Sequence, residues 1–405
     1  MTRWETIALW SYAAIIAVWP LRYLVLRYIL GGAPRLSPAS PTLDPAGAPL
    51  VSAIIPAKDE EATIADCLQS VSAQKYPQLE VLVIDDRSED RTAEIAREIA
   101  DRDPRIRLLS NDHLPPGWTG KTYVLDRAAR EAKGRWLWFL DADTVHAPEF
   151  LGVMMEYARA NNAALVSLLP ELRCETFWEE IVQPLGGIVL MQSFPLHKVN
   201  DDRCPLAFAN GQSILVERSA YDAAGGHAAV RDRFVEDIGL AGKVKALGYP
   251  VRTTMVHDLV DCRMYASLPQ LIRGWSRILY DALDRKTWRL VLRLLDPIVF
   301  CQSGHVALLV SVVLLIFGHR GPFAWWLLGL SILHHVLMYP VFRVIYLSSV
   351  PDSRHTAWFP LGNLVIDVVL LRAIRMCLTG RVTWRGTSYA AATAQGSAAE
   401  PSGRG

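Results

Sequence analysis

The 405-residue sequence predicts an α/β fold: a doubly wound, mostly parallel sheet flanked by one N-terminal and two to three C-terminal transmembrane helices. Three observations carry this prediction. Strand-like and helix-like segments alternate from Val51 to Asp141, long apolar stretches stand near both ends of the chain, and polar signatures gather where strands end.

The apolar stretches account for a hydrophobic fraction of 51% and a positive mean hydropathy, both high for a soluble chain. Ile7–Leu24 is Trp- and Tyr-rich and long enough to cross ~30 Å of hydrocarbon. No small-residue cleavage site follows it, so it reads as an uncleaved anchor. Arg22, Arg27 and Arg35 behind it place the central region in the cytoplasm of a bacterial-type, multi-pass plasma-membrane protein. Trp288–Phe300 interleaves Arg289 and Arg293 with aliphatics, the pattern of an interfacial helix. Val306–Phe317, Phe323–Leu347 and Trp358–Leu378 are candidate spans. Three full crossings there would carry Arg372, Arg375, Arg381 and Arg385 outside, against the positive-inside rule, so one segment is expected to be re-entrant, interfacial or part of a helical hairpin.

Between these ends the rhythm is regular. Val51–Pro56 reads as a buried strand, Glu61–Ser72 as an amphipathic helix, Glu80–Asp85 as a strand and Thr92–Ala100 as a helix. Arg105–Leu109 is a short strand, Tyr123–Ala132 a helix, Trp136–Asp141 a strand, and Val251–Met255 a later one. The six cysteines are scattered without a C-x-x-C pair, as free thiols of a reducing compartment would be. A net charge of +1 argues against nucleic acid as a main partner.

Carboxylates follow the strands. Lys58-Asp59-Glu60 comes after the first, Asp85-Asp86 closes the second, and Asp141-Ala142-Asp143 closes the last. Such clusters repel one another unless something positive is bound among them. A divalent metal, with a ligand offering ribose hydroxyls and a uracil-like edge, resolves that conflict.

The motifs, taken in order, resemble a family-2 glycosyltransferase of GT-A fold. They are P-A-K-D-E (Pro56–Glu60), V-I-D-D-R-S-E-D-R-T (Val83–Thr92), G-W-T-G-K (Gly117–Lys121), L-D-A-D-T (Leu140–Thr144), F-A-N-G-Q (Phe208–Gln212), G-G-H (Gly225–His227), V-E-D-I-G-L-A (Val235–Ala241) and R-M-Y (Arg263–Tyr265). P-P-G-W-T-G-K, R-G-W-S-R (Arg273–Arg277) and G-R-V-T-W-R-G (Gly380–Gly386) are similar to the membrane branch that glycosylates lipids of hopanoid, carotenoid-acid and ceramide type. The organisation this implies is an anchor at 1–30, a linker at 31–50, a GT-A catalytic domain at 51–285, an interfacial helix at 286–303, a membrane region at 304–380 and a largely disordered tail at 381–405.

The resemblance implies metal-dependent, inverting transfer of a single sugar from a UDP-sugar to a membrane lipid. Pro56, Glu60, Asp85, Asp86 and Lys121 would meet the nucleotide or its diphosphate, and Asp141 the ribose or sugar. Asp143 would bind Mg²⁺ or Mn²⁺. Asp237, beside Glu236, would be the catalytic base, with Gly211, Arg273 and Trp275 on the acceptor or product side. His257 is a candidate further metal or phosphate contact, and Trp118 a candidate flank for sugar or lipid.

Two departures from the family pattern stand out. Asp59 occupies a position usually held by Asn, and the Q-x-x-R-W signature of processive synthases appears only as Gln270-Leu-Ile-Arg273-Gly274-Trp275, with a residue inserted before Trp. That insertion disfavours a polysaccharide synthase. The intact acidic residues disfavour a silent nucleotide-binding protein.

Overall fold

The structure, a computed structural model, describes residues 1–36, 47–170, 172–256, 258–350, 353–384 and 387–390. Helix α1 (Arg3–Gly31) opens the chain, its start closed by a Thr2/Glu5 capping box. There follow β1 (Arg35–Leu36), β2 (Val51–Ala57), α2 (Ile64–Ser72), β3 (Leu79–Asp86), α3 (Thr92–Ala100), β4 (Ile106–Asn111), α4 (Gly120–Glu131), β5 (Trp136–Leu140), β6 (Thr144–His146), α5 (Phe150–Ala160) and β7 (Leu165–Pro170). The next stretch holds α6 (Phe177–Ser193), α7 (Leu196–Val199), β8 (Ser213–Glu217), α8 (Arg218–Ala223), α9 (Glu236–Ala246), β9 (Val251–Val256), β10 (Val260–Cys262) and α10 (Leu268–Ala282). Last come α11 (Thr287–Pro297), α12 (Ser303–Ile316), α13 (Pro322–Leu347), α14 (Phe359–Thr379) and a hairpin of β11 (Arg381–Trp384) and β12 (Thr387–Ala390).

The main sheet runs β1-β9-β7-β8-β5-β2-β3-β4, parallel except for β8, which pairs antiparallel with β5 and β7. Strands such as Val51–Ala57 are apolar on both faces because helices cover both. On one side Ile64, Leu68 and Phe150 pack on the sheet, and on the other Val124, Leu125 and Leu240. Small strands β6 and β10 pair with each other beside the sheet and hold the turn that carries Asp141 and Asp143. Part of the expected linker departs from expectation: Arg35 and Leu36 join the sheet edge in register with Met255 and Val256.

Among the described residues three helices are long and apolar enough to cross a membrane: Arg3–Gly31, Thr287–Ile316 and Pro322–Leu347. The second corrects the reading of a separate interfacial helix at 286–303, because α11 passes through a π-helical turn at Ile298–Gln302 straight into α12. Large apolar side chains on these helices, such as Trp10, Leu24, Leu309 and Trp326, are exposed. Helix α1 docks on α13 through His334, which bonds the Tyr12 hydroxyl at 3.0 Å and the Trp19 indole at 2.7 Å.

Helix α14, expected as a third C-terminal crossing, is not among the three. It packs on the catalytic side of the bundle with Val369, Leu370 and Ala373 buried, and Ser276 of α10 donates to the Val369 carbonyl at 3.1 Å. Gly362 lets it approach α6, since a Cβ there would stand 2.4 Å from the Ile181 carbonyl oxygen. The tail expected from 381 begins with the β11–β12 hairpin, and residues 391–405 lie outside the described residues.

Replacing Gly362 by Leu forces α14 off α6, and over-packing of this kind costs about 1–3 kcal/mol. A lower melting temperature of the detergent-solubilised protein is the expected result, with an unchanged melt arguing against the close helix contact.

Candidate active site

The carboxylates brought together by the parallel strands are not left to repel one another. Asp86 at the end of β3 accepts from Arg87 Nε at 2.8 Å and from Asn111 Nδ2 at 2.7 Å, and its second oxygen takes Arg87 Nη2 at 3.0 Å. Asp86 is thus already neutralised by its neighbour, which reduces its freedom to act as the nucleotide contact expected from sequence. Asp85 beside it keeps a buried oxygen with no partner. Glu60 sits in the β2–α2 turn, where its backbone N–H donates to Thr92 Oγ1 at 2.7 Å, and Pro56 lies half-buried in β2. Asp59 adopts φ 52°, a conformation Asn and Asp tolerate best among non-glycine residues, and accepts from the Glu89 N–H at 2.8 Å. An Asn oxygen would serve there equally, so the departure at Asp59 leaves the turn intact.

Asp141 and Asp143 extend beyond β5. Burial, and then the charges of Asp141 and Glu60, raise the Asp143 carboxyl well above the usual carboxylate range, and its Oδ1 is buried without a partner. An open carboxylate oxygen in an acidic, buried setting fits a hard divalent cation. Among the described residues no group of three or more His, Cys, Asp or Glu side chains is placed to cage one. Mg²⁺ in particular is held by one or two carboxylates plus substrate phosphates, so Asp143 suffices as a protein anchor. His257 lies outside the described residues.

Lys121 stands in the first turn of α4, whose N-cap Thr119 accepts from the Thr122 N–H. Its Nζ lies 2.7 Å from Asp141 and 2.8 Å from Glu236. Burial works against the ammonium, but the carboxylates of Asp141, Glu236 and Asp237 more than reverse this and hold it charged. Lys121 therefore joins the donor-side carboxylates to the pair that opens α9. Asp237 of that pair accepts from the Gly211 N–H at 2.6 Å and the Ile238 N–H at 2.7 Å. Burial, then the Glu236 charge, raises the Asp237 carboxyl above its ordinary value, toward a base able to work near neutrality. A side chain at Gly211 would meet Lys121 Nζ at 3.0 Å and Asp237 Oδ2 at 3.3 Å, which accounts for glycine in F-A-N-G-Q.

Sequence reasoning missed Asp281. This buried residue of α10 accepts from the Phe234 and Val235 N–H groups at 2.7 and 2.8 Å, capping α9 from another helix, while Arg285 Nε donates to its other oxygen at 2.7 Å. No local motif announces it, because donors and acceptor are some 46 residues apart in the chain. The residue inserted before Trp275 also gains a reason: a Cβ on Gly274 would stand 2.1 Å from the Tyr265 hydroxyl of R-M-Y. Arg263 of the same motif bonds the buried Glu179 of α6 at 2.9 Å. Trp275 itself lies on Gly186 of α6. Arg273 is exposed and does not line the cavity that Trp275 borders. Trp118 packs edge-on against Tyr123 at a centroid distance of 5.5 Å.

A cavity of about 180 Å³ is bordered by Asp237 and by Ser348–Val350, which follow α13. Its walls are mainly apolar, among them Leu190, Phe194, Phe208, Met264 and Ile278. Among the polar groups of the lining, Trp275 Nε1 and the Gln183 amide have found no partner. An oxygen at the head of an apolar molecule would satisfy them.

Residues 52–222 match the model of glycosyl transferase family 2. A 4,4'-diaponeurosporenoate glycosyltransferase of Staphylococcus haemolyticus is 26% identical over 273 residues, covering 65% of this chain and 69% of the relative. Its Staphylococcus aureus counterpart is 26% identical over 229 residues, covering 55% and 59%. In fold the chain resembles the mannosyltransferase PcManGT from Pyrobaculum calidifontis, solved with GDP-Man and Mn²⁺, with a TM-score of 0.50 and 19% identity over 92% of this chain and 98% of that one.

Removing the Lys121 charge as Lys121→Met strands Asp141 and Glu236, a loss expected to cost about 3–5 kcal/mol. Both donor binding and thermal stability should fall together, and a variant of native stability would show that the carboxylates do not need this cation. Asp281→Ala should lower kcat by about 10²-fold through displacement of the base, while donor KM changes little. Asp281→Asn, which keeps an acceptor for the two N–H groups, should recover much of the loss in the same steady-state assay.

Proposed function

We propose that the chain transfers one sugar from a UDP-sugar to a membrane lipid whose apolar body occupies the cavity ending on Asp237. The observation that carries this reading is the cavity itself, mainly apolar and bordered by Asp237, with Trp275 Nε1 and the Gln183 amide unpartnered in its lining. A sugar polymer would need hydroxyl-binding walls. A long isoprenoid-type lipid needs the walls present.

The donor fits the opposite side of Lys121. Asp143 would hold Mg²⁺ or Mn²⁺ through its unpartnered oxygen, and a bound metal supplies neutralisation of the diphosphate charge. Asp85, with its own open oxygen, is placed for ribose or uracil donors. With both backbone bonds fixing its plane, Asp237 takes the acceptor proton as the new C–O bond forms. The bond from the anomeric carbon to the UDP oxygen breaks on the opposite face, its electron pair leaving with UDP, and the anomeric centre inverts.

Three spans and the placement of α14 support a cytoplasmic site. With α1, α11–α12 and α13 crossing, the catalytic domain and α14 fall on one side, together with Arg22, Arg27, Arg372 and Arg375. The short α12–α13 turn on the other side carries Arg320. That distribution obeys the positive-inside rule and removes the parity conflict of a fourth crossing.

The staphylococcal relatives are named for an acid, 4,4'-diaponeurosporenoate, which makes a carotenoid-type acid a first acceptor to assay. UDP release from UDP-sugars, measured in detergent with Mn²⁺ and lipid acceptor, tests the reading, and absence of lipid-dependent release with every donor would overturn it. Asp237→Asn should cost about 10²–10⁴-fold on a hydroxyl acceptor while sparing UDP binding. An acceptor that is already an anion needs no base, so near-normal rates with the acid would assign the carboxylate as nucleophile. Gly187→Leu is the complementary probe: Gly187 lines the cavity, and no atom stands within 4 Å of a Cβ there. Lipid transfer should fall about tenfold or more with donor affinity retained.

A further inference from the structure

A second cavity, of about 280 Å³, lies on the other face of α6. Helical geometry separates the two: Gln183, Gly187, Leu190 and Phe194 face the first, while Leu185, Ile188, Val189 and Gln192 face the second. Met191 alone of this helix lines both, on the flank between the two faces.

Helix α13 gives the same order along another wall. Val341, Phe342 and Ile345 border the second cavity, and Ser348–Val350, starting ~4.5 Å further along at 1.5 Å per residue, border the first. The remaining walls come from α1, α11 and α14. Leu21 and Val25 stand at the rim, 62% and 47% exposed on the lipid-facing side of α1. The charges at this rim are already satisfied: Arg22 is paired with Asp296, and Arg293 bonds Gln192 at 3.1 Å and Ser193 at 3.0 Å. Apart from Asn363 Nδ2, buried without a partner, what is left to fill is apolar. The order is thus bilayer, second cavity, Met191, first cavity, Asp237.

We propose that the second cavity is the bilayer-side subsite for the tail of the lipid acceptor, and that the tail runs past Met191 between the two cavities. This rests on the reading of the first cavity as the acceptor site, and it adds where the tail goes and which residue it passes. Methionine suits such a place, being unbranched, flexible and able to repack around an irregular neighbour.

The test compares kcat/KM for a long-chain isoprenoid acceptor with that for a short-chain analogue bearing the same head group, using the full-length protein in nanodiscs. Val25→Trp fills the subsite from an exposed position of α1, where the fold tolerates bulk, and Met191→Trp closes the passage. Each should lower the long-to-short ratio by at least about tenfold, since burial of as few as two methylenes is worth that factor. Met191→Ala should leave the ratio unchanged or raise it. An unchanged ratio in both Trp variants, or equal losses on the two acceptors, overturns the subsite while leaving the first cavity's role standing. Wild-type protein that releases UDP to water and glycosylates neither acceptor overturns the parent reading instead.

Discussion

The Lys121 ammonium, held between Asp141 and Glu236, is the interaction on which the rest of the site depends. A parallel sheet delivers its strand ends to one edge, and in this chain those ends carry Asp85, Asp86, Asp141 and Asp143. The start of α9 adds Glu236 and Asp237 to the same place. Packed without compensation, such a set would protonate or separate. Arg87 neutralises Asp86 and Lys121 neutralises the centre, which leaves Asp85 and Asp143 as the carboxylates with open oxygens. The chain's own cations therefore decide which acidic groups remain available to a metal and a nucleotide.

The second constraint is distance between backbones. Gly211 brings a peptide N–H to 2.6 Å from Asp237, Gly274 admits the Tyr265 hydroxyl against α10, and Gly186 admits the Trp275 ring against α6. Each glycine lets two segments close on one another around the site. Asp281 completes the linkage by capping α9 from α10, so Asp237 is oriented by the helix that also carries Trp275. Asp237 and the cavity it borders are built as one unit.

Much of this was legible in the sequence, and the reasons it was legible are local. Buried parallel strands are short apolar runs, so Val51–Pro56 and Trp136–Asp141 were readable to within a residue of the observed β2 and β5. The acidic pair at the start of α9 was readable because it stands in the contiguous motif V-E-D-I-G-L-A. Pairings across the chain were not. Arg87 taking Asp86, Lys121 joining two clusters, Asp281 capping a distant helix and the β6–β10 pair depend on where separate segments meet. The residue inserted before Trp275 turns that ring by about 100° around α10, and what it then meets depends on the distant helix α6. The fourth apolar segment resembled a span by composition, yet Asp367, Arg372 and Arg375 suit a helix packed on protein at the membrane surface.

The most direct test of the account is a structure of the full-length Asp237→Asn protein in a lipid nanodisc with UDP-sugar, Mn²⁺ and a long-chain lipid acceptor. The account predicts metal density on Asp143 Oδ1, the acceptor's reacting oxygen within ~2.6–3.2 Å of the residue-237 side chain, and continuous lipid density through the cavity beside Trp275. A lipid head group bound away from residue 237, with the cavity beside Trp275 filled by water or by side chains, would contradict it.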